Sequence, residues 1–162
     1  FFPGRALGGL SQARTQYPMK NPDCPLCQST NEHELWRDDF CRVIWVDEPD
    51  YPGFCRIILS HHVREMTDLA PQDRRRLMDV VFAVEAVVRT VLRPAKINLA
   101  SLGNMVPHLH WHVIPRFADD RHFPDAIWAP PRRDAGCRPP PEADVRPRLM
   151  ALLRERLPFY PE

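Results

Sequence analysis

His108-Leu109-His110-Trp111-His112-Val113-Ile114-Pro115 alternates imidazole with apolar side chains over its first six positions. A period of two is the pattern of a half-buried strand, whose successive side chains point to opposite faces. The three histidines therefore share one face, and Leu109, Trp111 and Val113 share the other. The apolar set anchors in a core while the histidine set is left to face a cleft. Two residues of strand rise put neighbouring imidazoles about 7 Å apart, a spacing that suits a phosphate ester. One histidine can attack phosphorus while its neighbours donate to the oxygens. Imidazole is partly neutral at pH 7, attacks without a separate base, and leaves readily from the phosphoramidate it forms. Alternating histidines also chelate zinc or iron, so a metal triad is the competing reading.

Working outward, residues 96–102 read as a strand and Gly103-Asn104 as the turn before 108–115. Upstream, Leu77, Val81, Val84, Val88 and Val91 recur at steps of three and four, with Pro71 suited to a first helical position and Pro94 as the stop. Earlier still, residues 40–47 and 54–60 are rich in aromatic and β-branched side chains, separated by a turn through Pro49, Pro52 and Gly53. Strands, one long amphipathic helix, then strands predict an α+β fold with an antiparallel sheet. The domain is expected over 19–120, with 1–18 an extension outside the core. Residues 121–162 form a proline-rich tail, including Pro130-Pro131 and Pro139-Pro140-Pro141, that wraps the surface in extended segments and turns helical at 145–157.

A length of 162 residues fits one domain able to fold without staples. Lys plus Arg number 22 against 21 Asp plus Glu, so no global basic field exists to hold long nucleic acid, whereas a small nucleotide needs only local donors. No apolar run approaches the roughly 20 residues of a membrane span. The opening Phe1-Phe2-Pro3-Gly4-Arg5 lacks the order of a secretory signal, and a cytoplasmic location is expected. Five cysteines with irregular spacing do not make a disulfide framework. Cys24-Pro25-Leu26-Cys27 is spaced as half a zinc site, a redox pair or two buried thiols. Cys41, Cys55 and Cys137 have no partner spacing. His33 and His122, being isolated, read as surface or satisfied core histidines.

The segment 108–115 resembles the signature of the histidine triad (HIT) superfamily. The resemblance runs on through Asn98, Gly103-Asn104, Val106-Pro107 and Arg116, and through Leu59-Ser60-His61-His62 with Thr67-Asp68-Leu69, covering about 24–117. It implies a bacterial-type HIT protein, usually a homodimer, that binds a nucleoside monophosphate across the sheet edge and acts on nucleotides as a hydrolase or transferase. His110 would be the nucleophile, with His108 and His112 supporting phosphate binding. Asp47 would hold the ribose, with Asp50 as the fallback, and Asn98, Gly103, Asn104 and Met105 would meet the phosphate or leaving group. The chain has Asn104 where the family commonly has glutamine, so the amide sits on a shorter stem.

The resemblance further implies that Cys24, Cys27, His62 and His108 hold a structural zinc ion, with His61 a rival for His62. Four protein ligands would close the shell and leave no place for water. Sugar-phosphate transferases of the superfamily often carry glutamine at the third triad position, so His112 favours hydrolysis. A dinucleoside polyphosphate or a phosphoramidate is the expected substrate. The alternatives are a nucleotidyl transferase or phosphorylase, and a zinc-stabilised nucleotide-binding protein with little turnover.

Overall fold

The computed structural model describes residues 17–18, 20–28, 30–134 and 142–157. In chain order the elements are α1 (Pro25–Gln28), β1 (His33–Arg37), β2 (Cys41–Trp45), β3 (Cys55–Leu59), a single 3-10 turn (Met66–Asp68), α2 (Pro71–Leu92), β4 (Lys96–Ala100), β5 (His110–Arg116) and α3 (Val145–Arg156). The five strands form one sheet in the order β1-β2-β3-β5-β4, and every neighbouring pair is antiparallel. This is the expected α+β architecture with one further strand, β1.

The hairpin and the long helix form where the pattern of apolar residues places them. Gly53 turns the hairpin at φ +90°, a conformation strained for any other residue, and a Cβ there would lie 2.0 Å from Leu92 Cδ1 and push that side chain aside. Pro71 opens α2 at a position whose missing N–H costs nothing. Arg93, in the left-handed conformation at φ 49°, ends it just before Pro94. Leu77, Val80, Val81, Val84, Val87 and Val88 are buried on the sheet-facing side, each contributing about 1.5–3 kcal/mol of burial. Val91 is half-buried, and Met78 and Leu92 also pack against this core, leaving Phe82 exposed at 53%.

The strands are trimmed at their ends: those expected at 40–47 and 54–60 run over Cys41–Trp45 and Cys55–Leu59. The strand expected at 96–102 ends at Ala100, and that expected at 108–115 begins at His110. His108 stands outside the ladder: its N–H bonds the carbonyl of Val106 at 2.8 Å and its ring turns toward the cysteines. One sheet face, through Val43, Cys55, Ile57, Leu109 and Val113, forms the main core with α2 and α3. The histidines occupy the opposite face. α3 seats Leu149 and Leu153 in the core, and Trp36 donates its indole N–H to the carbonyl of Leu157 at 3.2 Å.

Residues 117–134 run in turns and bends rather than extended segments. Asp120 directs them: its carboxylate takes two bonds from Arg116 (2.7 and 3.0 Å) and the backbone N–H groups of Phe117, His122 and Phe123. Cys137 and the Pro139–Pro141 run lie outside the described residues. Tyr17, at the end of the expected extension, accepts the N–H of Ala70 at 2.9 Å, donates to Asp73, and rests against His61. Among the described residues no helix is long and apolar enough to cross a membrane.

Candidate active site and metal cluster

Strand β5 carries His110 and His112 on the face away from α2, in register with Ile58 and Arg56 of β3, and with Ala100 of β4 opposite His112. The expected alternation holds, but the rings lean together: their centroids are 4.9 Å apart and nearly perpendicular, closer than the backbone rise alone allows. His110 bonds through Nδ1 to the carbonyl of His108 at 2.5 Å. A carbonyl only accepts, so Nδ1 carries the proton and Nε2 keeps its lone pair. Ser101 fixes the strand at the same residue, its hydroxyl donating to the His110 carbonyl at 2.9 Å. His112 lies between Phe54 (5.5 Å between ring centroids) and Trp128 (5.6 Å), and its Nδ1 is buried without a partner.

Burial first, and then the positive charge of Arg56, holds both imidazoles below their ordinary range, His112 to about 4. For His110 the bond to the His108 carbonyl opposes that shift. The pair is therefore neutral at pH 7, the form that can attack.

A cleft of about 320 Å³ opens over these rings, at the small end of the range for ligand sites. The loop before β5 forms one wall with Gly103, Asn104 and Met105, and Gly103 adopts φ +76° to turn it. Leu26, Arg56 and Trp128 complete much of the rest. Asp47 and Asn98 do not line this cleft. Asp47, at 61% side-chain exposure, is paired with His33 (2.8 Å) and Arg146 (3.1 Å). Asn98 accepts from Arg116 at 2.7 Å and lines a separate groove that shares only Trp128 with the cleft. The Asn98 oxygen is engaged by Arg116, which leaves its NH2 as a donor, and the exposed Asp47 carboxylate keeps acceptor lone pairs beside its two partners. Asp50 is 3.3 Å from Arg121. His33 is on the surface, while His122 is buried and bonded to the Tyr51 hydroxyl. Arg56 is the cleft residue that sequence reading passes over, although its place among the apolar residues of 54–60 is a visible anomaly.

Beside the cleft, Cys24, Cys27, His62 and His108 bring one ligand atom each within 4.8 Å of one another. Cys24 Sγ and Cys27 Sγ are each 3.4 Å from His108 Nδ1, and Cys27 Sγ is 3.4 Å from His62 Nδ1. A tetrahedral zinc with Zn–S of about 2.3 Å and Zn–N of about 2.0–2.1 Å separates its sulfur and nitrogen ligands by about 3.5 Å. The donor set fits. His108 donates Nε2–H to the carbonyl of Leu59 at 2.8 Å, the outer bond that fixes a metal-binding tautomer and aims Nδ1 at the cysteines. Burial pushes His108 down to about 4 against that bond and raises the Cys27 thiol. His62, not His61, faces the cluster; His61 Nδ1 is buried without a partner.

Comparison with known proteins finds relatives that share this fold. The chain is 30% identical over 81 residues to an AP-4-A phosphorylase of Mycobacterium tuberculosis, covering 46% of this chain and 42% of that one. It is 28% identical over 94 residues to a bis(5'-nucleosyl)-tetraphosphatase (asymmetrical) of Schizosaccharomyces pombe, covering 55% and 52%. The chain thus spans about half the length of the curated relatives it matches. A crystal structure of a histidine triad protein from Marinobacter aquaeolei superposes with TM-score 0.63 at 27% identity, covering 76% of this chain and 90% of that one. One from Sinorhizobium meliloti gives 0.61 at 26%, covering 78% and 90%. The family model described as HIT domain matches residues 28–119, which is more than half the chain and includes the cleft loop and both cleft histidines. On that match and that fold, the chain belongs to the HIT domain family.

Proposed function

We propose that this protein cleaves a nucleotide at its α-phosphate through a covalent nucleotidyl-histidine, acting as a hydrolase on a dinucleoside polyphosphate or a phosphoramidate. One observation carries the reading: the bond from His110 Nδ1 to the His108 carbonyl leaves Nε2 as a free nucleophile in the cleft beside His112. His110 Nε2 forms the N–P bond as the bond from phosphorus to the leaving group breaks. The positive charge that develops on the imidazole is met by the His108 carbonyl. His112 and the backbone N–H groups of the 103–105 loop donate to the nonbridging oxygens. Water then attacks phosphorus, the N–P bond breaks, a proton passes to solvent, and a nucleoside monophosphate leaves.

The names of the two curated relatives support a dinucleoside tetraphosphate as the substrate class and hold open one second reading. If inorganic phosphate replaces water in the second step, the enzyme is a phosphorylase. Incubation of a dinucleoside tetraphosphate with and without phosphate decides between them: hydrolysis yields a nucleoside monophosphate in both, phosphorolysis a nucleoside diphosphate only with phosphate. Binding without release of any leaving group would mark a nucleotide-binding protein instead.

Asp47 would hold the ribose through the lone pairs that His33 and Arg146 leave free, and Asn98 would turn its NH2 to the phosphate or leaving group while its oxygen stays on Arg116. Cys24, Cys27, His62 and His108 would hold zinc, whose contribution is to fasten the N-terminal segment to the histidine strand. In this reading the catalytic domain is 19–120, and the tail's terminal helix packs on it. The exposed Phe82 on α2 favours a homodimer; light scattering at micromolar protein would return twice 18.9 kDa. The free thiols among the described residues suit a cytoplasmic setting.

A further inference from the structure

Arg56 sits in the middle of the histidine face, between Ile44 of β2 and His112 of β5. Directly opposed residues in an antiparallel pair have Cβ atoms about 4.5–5.5 Å apart, so the arginine stem starts beside the His112 ring. Its side chain lines the same cleft as both imidazoles. The other arginines buried near the sheet have carboxylates: Arg42 holds Glu32 at 2.6 and 2.8 Å, and Arg116 holds Asp120 at 2.7 and 3.0 Å. Arg56 has no hydrogen bond or ion pair among the described residues, and its Nε is buried without a partner. The carboxylate whose field reaches it, Glu32, is already engaged by Arg42.

A cation half-withdrawn from water with no counter-charge costs stability, and an apolar residue would serve the strand better. The arrangement is explained by an anion that arrives from solution. Among the residues lining the cleft, Arg56 alone carries a permanent charge; the two histidines there are neutral at pH 7. We propose that Arg56 is a catalytic residue whose guanidinium binds the nonbridging oxygens of the phosphate seated over His110. The proposal rests on the nucleotidyl-transfer reading above and adds its cationic component. The planar fork of N–H groups matches two phosphate oxygens at once. During transfer the N–P bond forms and the bond to the leaving group breaks, while Arg56 keeps its proton and stabilises the charge on the oxygens in flight. The ligand class is a phosphate ester or anhydride, recognised through the phosphate that undergoes attack.

The test uses the full chain with Arg56→Met, Arg56→Gln as a second neutral variant, and Arg56→Lys. Turnover is measured on diadenosine tetraphosphate and on an adenosine phosphoramidate, and thermal shifts are measured with AMP and with adenosine. Both neutral variants should lower kcat by about 10²-fold or more on both substrates, with Lys recovering part of the loss. Their ligand-free Tm should equal or exceed that of the wild type, and the extra stabilisation by AMP over adenosine should shrink. Near-normal kcat in the neutral variants overturns the proposal. So does a fall in Tm with the AMP response intact, which marks a structural arginine, and so does a loss confined to the tetraphosphate, which marks a contact to the leaving group. If the wild type turns over neither substrate, the nucleotidyl-transfer reading fails by itself, and the comparison of AMP with adenosine still decides whether Arg56 binds phosphate.

Discussion

The carbonyl oxygen of His108 accepts the Nδ1–H of His110 at 2.5 Å, while the His108 ring points the other way, into the cysteine pair. One residue thus belongs to the metal cluster by its side chain and to the nucleophile by its backbone. Zinc should purify with the protein at about one ion per chain, the closed-site stoichiometry. Cys24→Ser should lose the metal, lower Tm by about 5 °C or more, and reduce turnover although Cys24 does not line the cleft. Elemental analysis beside thermal melts checks it; metal-free protein with wild-type stability and activity would refute the assignment.

His110→Ala should abolish turnover by several orders of magnitude, because the attacking nitrogen is gone. His112→Ala should cost less, on the order of the 10²–10³ of one lost oxyanion donor. Nucleotide affinity should survive both changes. Quenching the wild type with α-labelled substrate should leave label on the peptide holding His110, stable to base and labile to acid. Inversion at the α-phosphorus, the signature of a single displacement, would rule out the covalent route.

The depressed His112 gives a signed pH dependence. Its folded value is about 4, against about 6.5 for histidine in an unfolded chain. Between those limits the unfolded chain binds a proton that the folded chain does not, so stability falls as pH is lowered from about 6.5 to about 4, then levels for this group. His108 adds to the same slope in zinc-free protein. Asp120, held below its ordinary range despite its burial by its bonds from Arg116 and the backbone, contributes stability that is lost only at still lower pH. Urea midpoints at pH 7.5, 5.5 and 4.5 should decline steadily, and His112→Gln should flatten the decline. An unchanged slope would show that His112 does not supply it.

Asp120→Ala should destabilise the fold by about 3–5 kcal/mol, since it strands the buried Arg116 and three backbone donors. Asp47→Ala removes a carboxylate exposed at 61% and should cost under about 1 kcal/mol. Chemical denaturation of the two variants side by side measures the contrast.

Strand β5, helix α2 and the hairpin were legible because each buries one regular face, so their apolar residues repeat at the period of the element. β1 was not: it is an edge strand with its register broken between Glu34 and Trp36, and only Leu35 and Trp36 are buried. The start of β5 was misplaced because alternation continues through His108, while the ring's bond to the Leu59 carbonyl and its approach to the cysteines take that residue out of the ladder. The cluster partners of Cys24 and Cys27 came from family resemblance, as no local spacing joins residues 84 and 81 positions apart. Asp47 and Asn98 are placed by the same resemblance. A motif fixes where they sit on the strands but not that His33, Arg146 and Arg116 engage their side chains.

Trp128 has a use that follows from its position alone. The chain holds four tryptophans, and Trp128 is the one counted among the large exposed apolar side chains, at 54% exposure, with its ring against His112 at the cleft wall. Trp36 and Trp45 are buried and Trp111 faces the helices. Intrinsic emission that a water-soluble quencher can reach therefore comes mainly from the residue lining the cleft. The protein carries its own optical reporter of occupancy, and a nucleotide titration can be followed by fluorescence without a label.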